Sequence, residues 1–371
     1  TGYWVDIHNV ENLGRTDYLD NNFGYPPGTL MFANPAHPHY DQDGTVWSVC
    51  LTHVPEGNGV YSARYTIYTI KDETRTVFAE VPVGMVDFAQ CPGDGEPYPD
   101  LSVRMGYMHS FAMTENYIIL PTTSYLFDPC MVADGGRRDQ GFFPGSFQWY
   151  GEEQSKIYVI RRADGELMGT LLTTAYFVTH QLNAFERDET VMHADMLVYD
   201  NADVYTYHTF LPQLFQDIPY ETYPERFTIR TDSWQLTSRR PLRFPYPSAV
   251  EMSNINYDFY NTKFYHFAYM VENLWRTGGR ILKLDVEELE EFVFDMPEGL
   301  FPQEPVFVPH PDPQSEDDGV LLIQGIDGGK EKAFLIILDA RTMELVAHVT
   351  APDLALAGLH NNFYPAHVGR G

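Results

Sequence analysis

An all-β chain of repeated antiparallel hairpins, stacked as the blades of a β-propeller, is the fold this sequence predicts. Two observations lead there. Short stretches rich in Val, Ile, Tyr, Phe and Thr alternate in polarity, whereas long runs of helical periodicity are scarce. One pattern also recurs without intervening helices: an apolar strand, a charged turn and a second alternating strand. Radial stacking would bury both faces of each small sheet; a sandwich or barrel is the rival arrangement. No low-complexity linker interrupts the 371 residues, so residues 1–371 read as one domain, although length alone allows two or three.

Taken in chain order, the first feature is the turn Asp41-Gln-Asp-Gly44. It faintly resembles a calcium loop, but the twelfth position, which needs a bidentate Glu, is Thr52. Hairpins follow at residues 63–81 and 156–166, from residue 281 onward, and at 334–349. The Pro/Gly/Asp clusters at 92–97, 133–136 and 309–319 read as surface loops between strands. For residues 287–294 a short helix is the alternative to a hairpin strand, because Glu and Leu favour helices over strands. Gly325-Ile-Asp-Gly-Gly-Lys330 lacks the phosphate-loop spacing and is followed by Glu331 rather than Ser or Thr, so it is a tight hairpin turn.

Composition removes several classes of function. Asp and Glu number 52 against 24 Lys and Arg, a formal charge of −28. Such a chain repels a phosphate backbone, which excludes a nucleic-acid partner and disfavours adhesion to anionic lipid. Cys50, Cys91 and Cys130 lie far apart with no CxxC pair, which excludes a disulfide scaffold and a cysteine-built zinc site and favours a reducing, cytoplasmic location. No apolar run reaches the roughly 18–20 residues that cross a bilayer. Neither GxSxG nor HExxH occurs.

Histidine is what remains. His37, His109 and His180 follow one another at steps of 72 and 71 residues, about one blade with its connections, and His360 comes 180 later. Placed on innermost strands, all four would converge on the propeller axis. Imidazole is a good ligand for Fe, Zn or Cu, and neutral ligands leave the metal its full charge.

The sequences around these histidines resemble the carotenoid cleavage oxygenases, the family that includes the retinal-pigment-epithelium retinoid isomerase. The matching stretches are Ala36-His-Pro-His-Tyr-Asp-Gln-Asp-Gly-Thr45, Tyr107-Met-His-Ser-Phe-Ala-Met-Thr-Glu-Asn-Tyr117, Thr179-His-Gln-Leu-Asn-Ala-Phe-Glu186 and Gly358-Leu-His360. Val250-Glu-Met-Ser-Asn-Ile-Asn-Tyr257 and Glu304-Pro-Val-Phe-Val-Pro-His-Pro-Asp312, the latter followed by Glu316-Asp-Asp-Gly319, match as well. The resemblance implies a seven-bladed propeller with a dome of loops and short helices over one face, and an axial Fe(II) held by His37, His109, His180 and His360. His39 competes with His37 in its segment. Many relatives carry His-His where this chain has His180-Gln181. Glu251 and Glu304 match the glutamates that accept a hydrogen bond from the third and fourth ligands and fix their tautomers. The glutamate behind the second ligand falls immediately before the position matching Thr1. Family chains carry further residues upstream, so the sequence reads as lacking its amino-terminal part.

The activity implied is cleavage of a conjugated C=C bond of a carotenoid or apocarotenoid by O₂, giving aldehydes or ketones. Retinoid isomerisation, stilbene-type cleavage and a non-catalytic scaffold are the competing readings. A polyene offers no charge to recognise, so its binding rests on apolar burial and aromatic walls. Phe111, two residues past His109, is either such a wall or packing between blades. Leu126, Phe127, Phe142, Phe143, Phe147, Trp149 and Tyr150, around Arg137 and Arg138, make the 126–150 segment a candidate for peripheral membrane contact by apolar docking.

Overall fold

The computed structural model describes residues 3–5, 12–15, 18, 22–32, 36–93, 96–133, 145–206, 221–243, 249–274, 278–353 and 360–364. Five antiparallel sheets of four or more strands carry the fold. The first contains Leu30–Phe32, Val46–Gly57, Val60–Lys71 and Thr74–Asp87, with His39–Tyr40 added beside Val46–Gly57. The second runs Ala112–Met113, Tyr117–Thr122, Ser155–Arg161 and Leu167–Thr173. The third, fourth and fifth are simple meanders: Phe177–Asp188 to Gln235–Pro241, Val250–Asn254 to Glu291–Asp295, and Leu300–Pro309 to Leu345–Thr350. Two short ribbons, Tyr3–Val5 with Asn12–Arg15 and Tyr125–Phe127 with Phe147–Trp149, complete the described strands.

Alternation along the strands explains how the sheets stack. Successive side chains on a strand point to opposite faces. In the second sheet Ile118 and Leu120 pack with Val49, Ile67 and Val81 of the first, while Ile119, Ile157 and Val159 pack with Met196 and Phe227 of the third. In the third sheet Ala184 joins the second-sheet interface and Phe185 the fourth-sheet one. In the fourth, Met270 faces back to Phe185, whereas Tyr269 and Val271 face on to Phe307, Leu321 and Ile336 of the fifth. The second, third and fourth sheets are thus slabs with a core on both sides, at about 1.5–3 kcal/mol per large apolar side chain buried. The innermost strands of consecutive sheets pack side by side. Face-to-face stacking with converging inner strands is propeller architecture, not a sandwich.

Specific turns follow from the sequence. Asp41 accepts from Trp47 Nε1 at 2.7 Å and from Arg162 at 2.7 and 2.8 Å, and Asp43 pairs with Lys71 at 2.6 Å, so these carboxylates staple a turn and tie the first sheet to the second. At the 325–330 turn, Asp327 Oδ1 accepts from the Gly329 and Lys330 amides at 3.1 and 3.0 Å.

Two expectations are corrected. Residues 287–294 do not form a helix: Asp285 Oδ1 caps the Glu287 and Glu288 amides in a turn, and Glu291–Asp295 pairs with the strand Arg280–Asp285. Acidic residues at 287, 288, 290 and 291 repel one another on a helix, and Phe292-Val-Phe294 favours the sheet. The cysteine reading also fails, because Cys91 and Cys130 form a disulfide across 39 residues; only Cys50 is free. Proximity of the helix Pro129–Ala133 to the residue after Phe88–Gln90 is a tertiary fact with no trace in spacing. The argument for a reducing compartment loses this support. Reduction of the bond is expected to lower unfolding stability by roughly 2–4 kcal/mol, since a loop of this size loses the constraint on its unfolded chain. Urea midpoints with and without dithiothreitol test it, and equal midpoints would refute the bond.

The proposed docking segment is only partly described. Phe127 and Phe147 are buried against Tyr125 and Tyr107, while Arg137, Arg138, Phe142 and Phe143 lie outside the described residues. Among the described residues no helix is long and apolar enough to cross a membrane.

Candidate metal centre

Four chain segments deliver four imidazoles to one point. His37 precedes the short strand His39–Tyr40, His109 precedes Ala112–Met113, His180 sits on the inner strand Phe177–Asp188, and His360 follows the fifth sheet. One ring nitrogen from each lies within 4.8 Å of all the others. His37 Nε2 and His109 Nε2 are 3.2 Å apart, and ring centroids are spaced 4.5 Å (His37–His360) to 5.0 Å (His180–His360). Two opposed metal–nitrogen bonds of about 2.1 Å span about 4.2 Å, so the cluster has the scale of one ion's shell.

Outer partners turn the rings inward. His180 Nδ1 meets Glu251 Oε2 at 2.5 Å, and His360 Nδ1 meets Glu304 Oε2 at 3.2 Å, a carboxylate that also accepts from the Asn361 amide at 2.9 Å. When Nδ1–H donates to the carboxylate, the Nε2 lone pair faces the centre. His109 Nδ1 meets the Tyr107 hydroxyl at 2.8 Å and the Tyr205 hydroxyl at 3.1 Å. His39 is elsewhere: its nitrogens engage Phe111 O at 2.9 Å and Tyr257 Oη at 3.1 Å. Phe111 does both things suggested for it, packing in the core between the first two sheets and bordering the cavity described below.

Electrostatics match a ligand set. Burial and the neighbouring imidazoles depress His37 far below the usual histidine range, and burial with His180 lowers His109 to about 3, opposed by Glu251. Both stay neutral with free lone pairs. Burial would lower His180 too, yet the Glu251 carboxylate overrides it and raises the group. Burial would raise Glu251, but attraction to His180 and hydrogen bonds from His180, Thr179 and Tyr199 bring it to about 2. Glu251 thus favours positive charge on His180, whose buried Nε2 has no hydrogen-bond partner among the described residues. A cation there satisfies both demands. Four neutral nitrogen donors suit Fe, Zn, Cu or Ni.

A cavity of about 1310 Å³ reaches His37, His180, His360 and Glu304. Its walls mix apolar Leu182, Ile255 and Phe307 with Asn254 and Asn256. His109 instead abuts a buried aromatic cluster that includes Tyr107, Phe177, Tyr199 and Tyr205.

The profile of the family described as retinal pigment epithelial membrane protein matches residues 1–365. The chain belongs to that family. Among curated relatives, the torulene dioxygenase of Fusarium fujikuroi is 28% identical over 300 residues, covering 72% of this chain and 51% of the relative. The mitochondrial carotenoid-cleaving dioxygenase of Homo sapiens is 27% identical over 403 residues, covering 97% and 65%. The chain thus spans about half to two thirds of the length of these relatives. A mutant Synechocystis apocarotenoid oxygenase shares the fold with a TM-score of 0.70 at 20% identity, covering 96% of this chain and 69% of that one. The cobalt-substituted form of the same protein aligns with a TM-score of 0.66, 20% identity and the same coverage.

Reading by motif missed the groups behind Glu251 and behind His109. Thr179 and Tyr199 contact Glu251, and Tyr107 and Tyr205 contact His109. Thr179 and Tyr107 lie inside the quoted motifs, so adjacency to a histidine was the available signal; Tyr199 and Tyr205 had none.

Proposed function

We propose that this chain forms the propeller of an Fe(II)-dependent dioxygenase that cleaves a conjugated C=C bond of a carotenoid or apocarotenoid to aldehyde or ketone products. The observation that carries the reading is the four-imidazole cluster, which among the described residues has no carboxylate in its inner ring and has carboxylates directly behind two of its members. His37, His109, His180 and His360 would hold the iron through Nε2. Iron(II) supplies a redox centre able to engage O₂.

The chain's own residues do the rest. Glu251 and Glu304 orient His180 and His360 and offset the metal's charge from behind, without occupying positions around it. The aromatic cluster beside His109 keeps water from that side, and the apolar walls of the cavity bind a hydrocarbon by burial, at ~25 cal/mol per Å². A scaffold reading requires dispersed histidines, and their convergence counts against it. Retinoid isomerisation on the same centre would not consume O₂. In this reading residues 1–371 form one domain with the seven blades usual for its family. Any lipid docking through 126–150 would use Leu126, Trp149 and Tyr150, not the buried Phe127 and Phe147.

Chromatography of full-length protein incubated with β-carotene and shorter apocarotenoids tests the reading. Aldehyde or ketone products under air and none under nitrogen are expected. Isomerised but uncleaved product formed equally without oxygen would overturn it.

A further inference from the structure

Glu251 is held far more tightly than its role behind one histidine requires. Oε2 accepts from His180 Nδ1 at 2.5 Å and from the Met252 amide at 2.9 Å. Oε1 accepts from Thr179 Oγ1 at 2.5 Å and from the Tyr199 hydroxyl. Four donors therefore fill a carboxylate that is itself only 5% exposed.

The backbone is shaped to permit this. Thr179 and His180 are consecutive on a strand and would ordinarily point to opposite faces. The pairing of Phe177–Asp188 with Val191–Tyr199 slips between Val178 and Gln181, and both side chains reach the same glutamate. Opposite them, the Val250–Asn254 strand slips after Glu251, and Met252, whose amide donates to Oε2, takes a positive φ of 56°. Left-handed backbone in a non-glycine residue costs of order 1–3 kcal/mol and persists where its surroundings impose it. Tyr199 closes the clamp from the last position of the neighbouring strand.

We propose that Tyr199 and Thr179 are positioning residues that tune the metal through Glu251 and His180. Resting on the metal-centre reading above, this deepens it by two residues beyond the histidines and glutamates. Hydroxyl donors on Oε1 draw carboxylate charge away from Oε2. That weakens the pull of Oε2 on the His180 Nδ1 proton, so His180 is a less electron-rich ligand than a bare glutamate would make it. Removing either hydroxyl releases charge toward Oε2, makes His180 a stronger donor and favours the more highly charged metal state. Removing the carboxylate does the opposite.

The test is the Fe(III)/Fe(II) midpoint potential of the full-length iron-loaded protein, measured by redox titration. Tyr199→Phe and Thr179→Val should each lower it, by the equivalent of roughly three- to tenfold in the Fe(III)/Fe(II) ratio at fixed potential, whereas Glu251→Gln should raise it. A merely structural role predicts one direction for all three, through loosened iron. Same-sign shifts, or unmoved potentials in both hydroxyl variants, overturn the inference, as does loss of iron from both with unchanged thermal unfolding. Wild-type protein that binds no iron would instead sink the metal-centre reading itself.

Discussion

Replacing His180 with alanine is expected to strip the centre of its metal. Loss of an outer partner behind a ligand typically weakens metal binding 10–100-fold, so loss of the ligand itself should exceed roughly 100-fold, with cleavage falling accordingly. The reason is geometric as well as chemical. His180 is the most buried of the four and carries the shortest link to a carboxylate. Its removal leaves Glu251 with a charge and no imidazole to pass it through. Iron per chain after equilibration and desalting measures the effect, against about one in the parent protein. His39→Ala is the matched comparison, because His39 lies outside the cluster and should keep its iron. Iron retained by His180→Ala, or lost equally by His39→Ala, would show that the centre has been placed on the wrong residues.

Asp195→Ala is expected to destabilise the fold by about 3–5 kcal/mol, the usual cost of leaving a buried charge without its partner. Arg226 has a side chain 2% exposed and makes two 2.8 Å bonds to the fully buried Asp195, which also accepts from Tyr265 Oη at 2.8 Å. Glu287 reaches the same guanidinium from the side. These groups join the third sheet to the fourth inside an otherwise apolar interface. With Asp195 gone, Arg226 keeps a single partially exposed counter-charge. Adding Arg226→Met should recover part of the loss, because the buried charge left without its partner is then gone. Urea midpoints of the single and double variants decide it. A single-variant shift below about 0.5 kcal/mol, the range of ordinary surface changes, would refute the assignment of this pair as a structural charge.

Local pattern carried most of the architecture. The hairpins at 63–81, 156–166 and 334–349, and the strand beginning at residue 281, were readable because a strand's two-residue period is written directly into the order of its side chains. Residues 287–294 misled because intrinsic propensity is weak. There, a turn capped by Asp285 and a neighbouring strand with open backbone groups outweighed it. The Cys91–Cys130 bond was unreadable for a different reason: two residues 39 apart have no local signature of contact.

At the metal centre, the histidines and glutamates were visible as motifs, and their blade-length spacing suggested an axis. The pairing of Glu251 with His180 and of Glu304 with His360 came with the resemblance, whereas the contacts of Tyr199 with Glu251 and of Tyr205 with His109 were not visible. Nothing in the order of residues distinguishes His37 from His39 geometrically; the fold sends one into the cluster and the other to Phe111 and Tyr257.

By itself, then, the amino-acid order determined an acidic, strand-rich chain of stacked hairpins and the kinds of donor atom it can offer. Those properties depend on neighbours in sequence and on side-chain chemistry. Tertiary structure alone decided that His37 rather than His39 joins the cluster, that tyrosine hydroxyls stand behind His109, and that Tyr199 and Thr179 complete the grip on Glu251. The physical reason is that blade stacking sets these distances, and stacking is summed over many apolar contacts that no single segment contains.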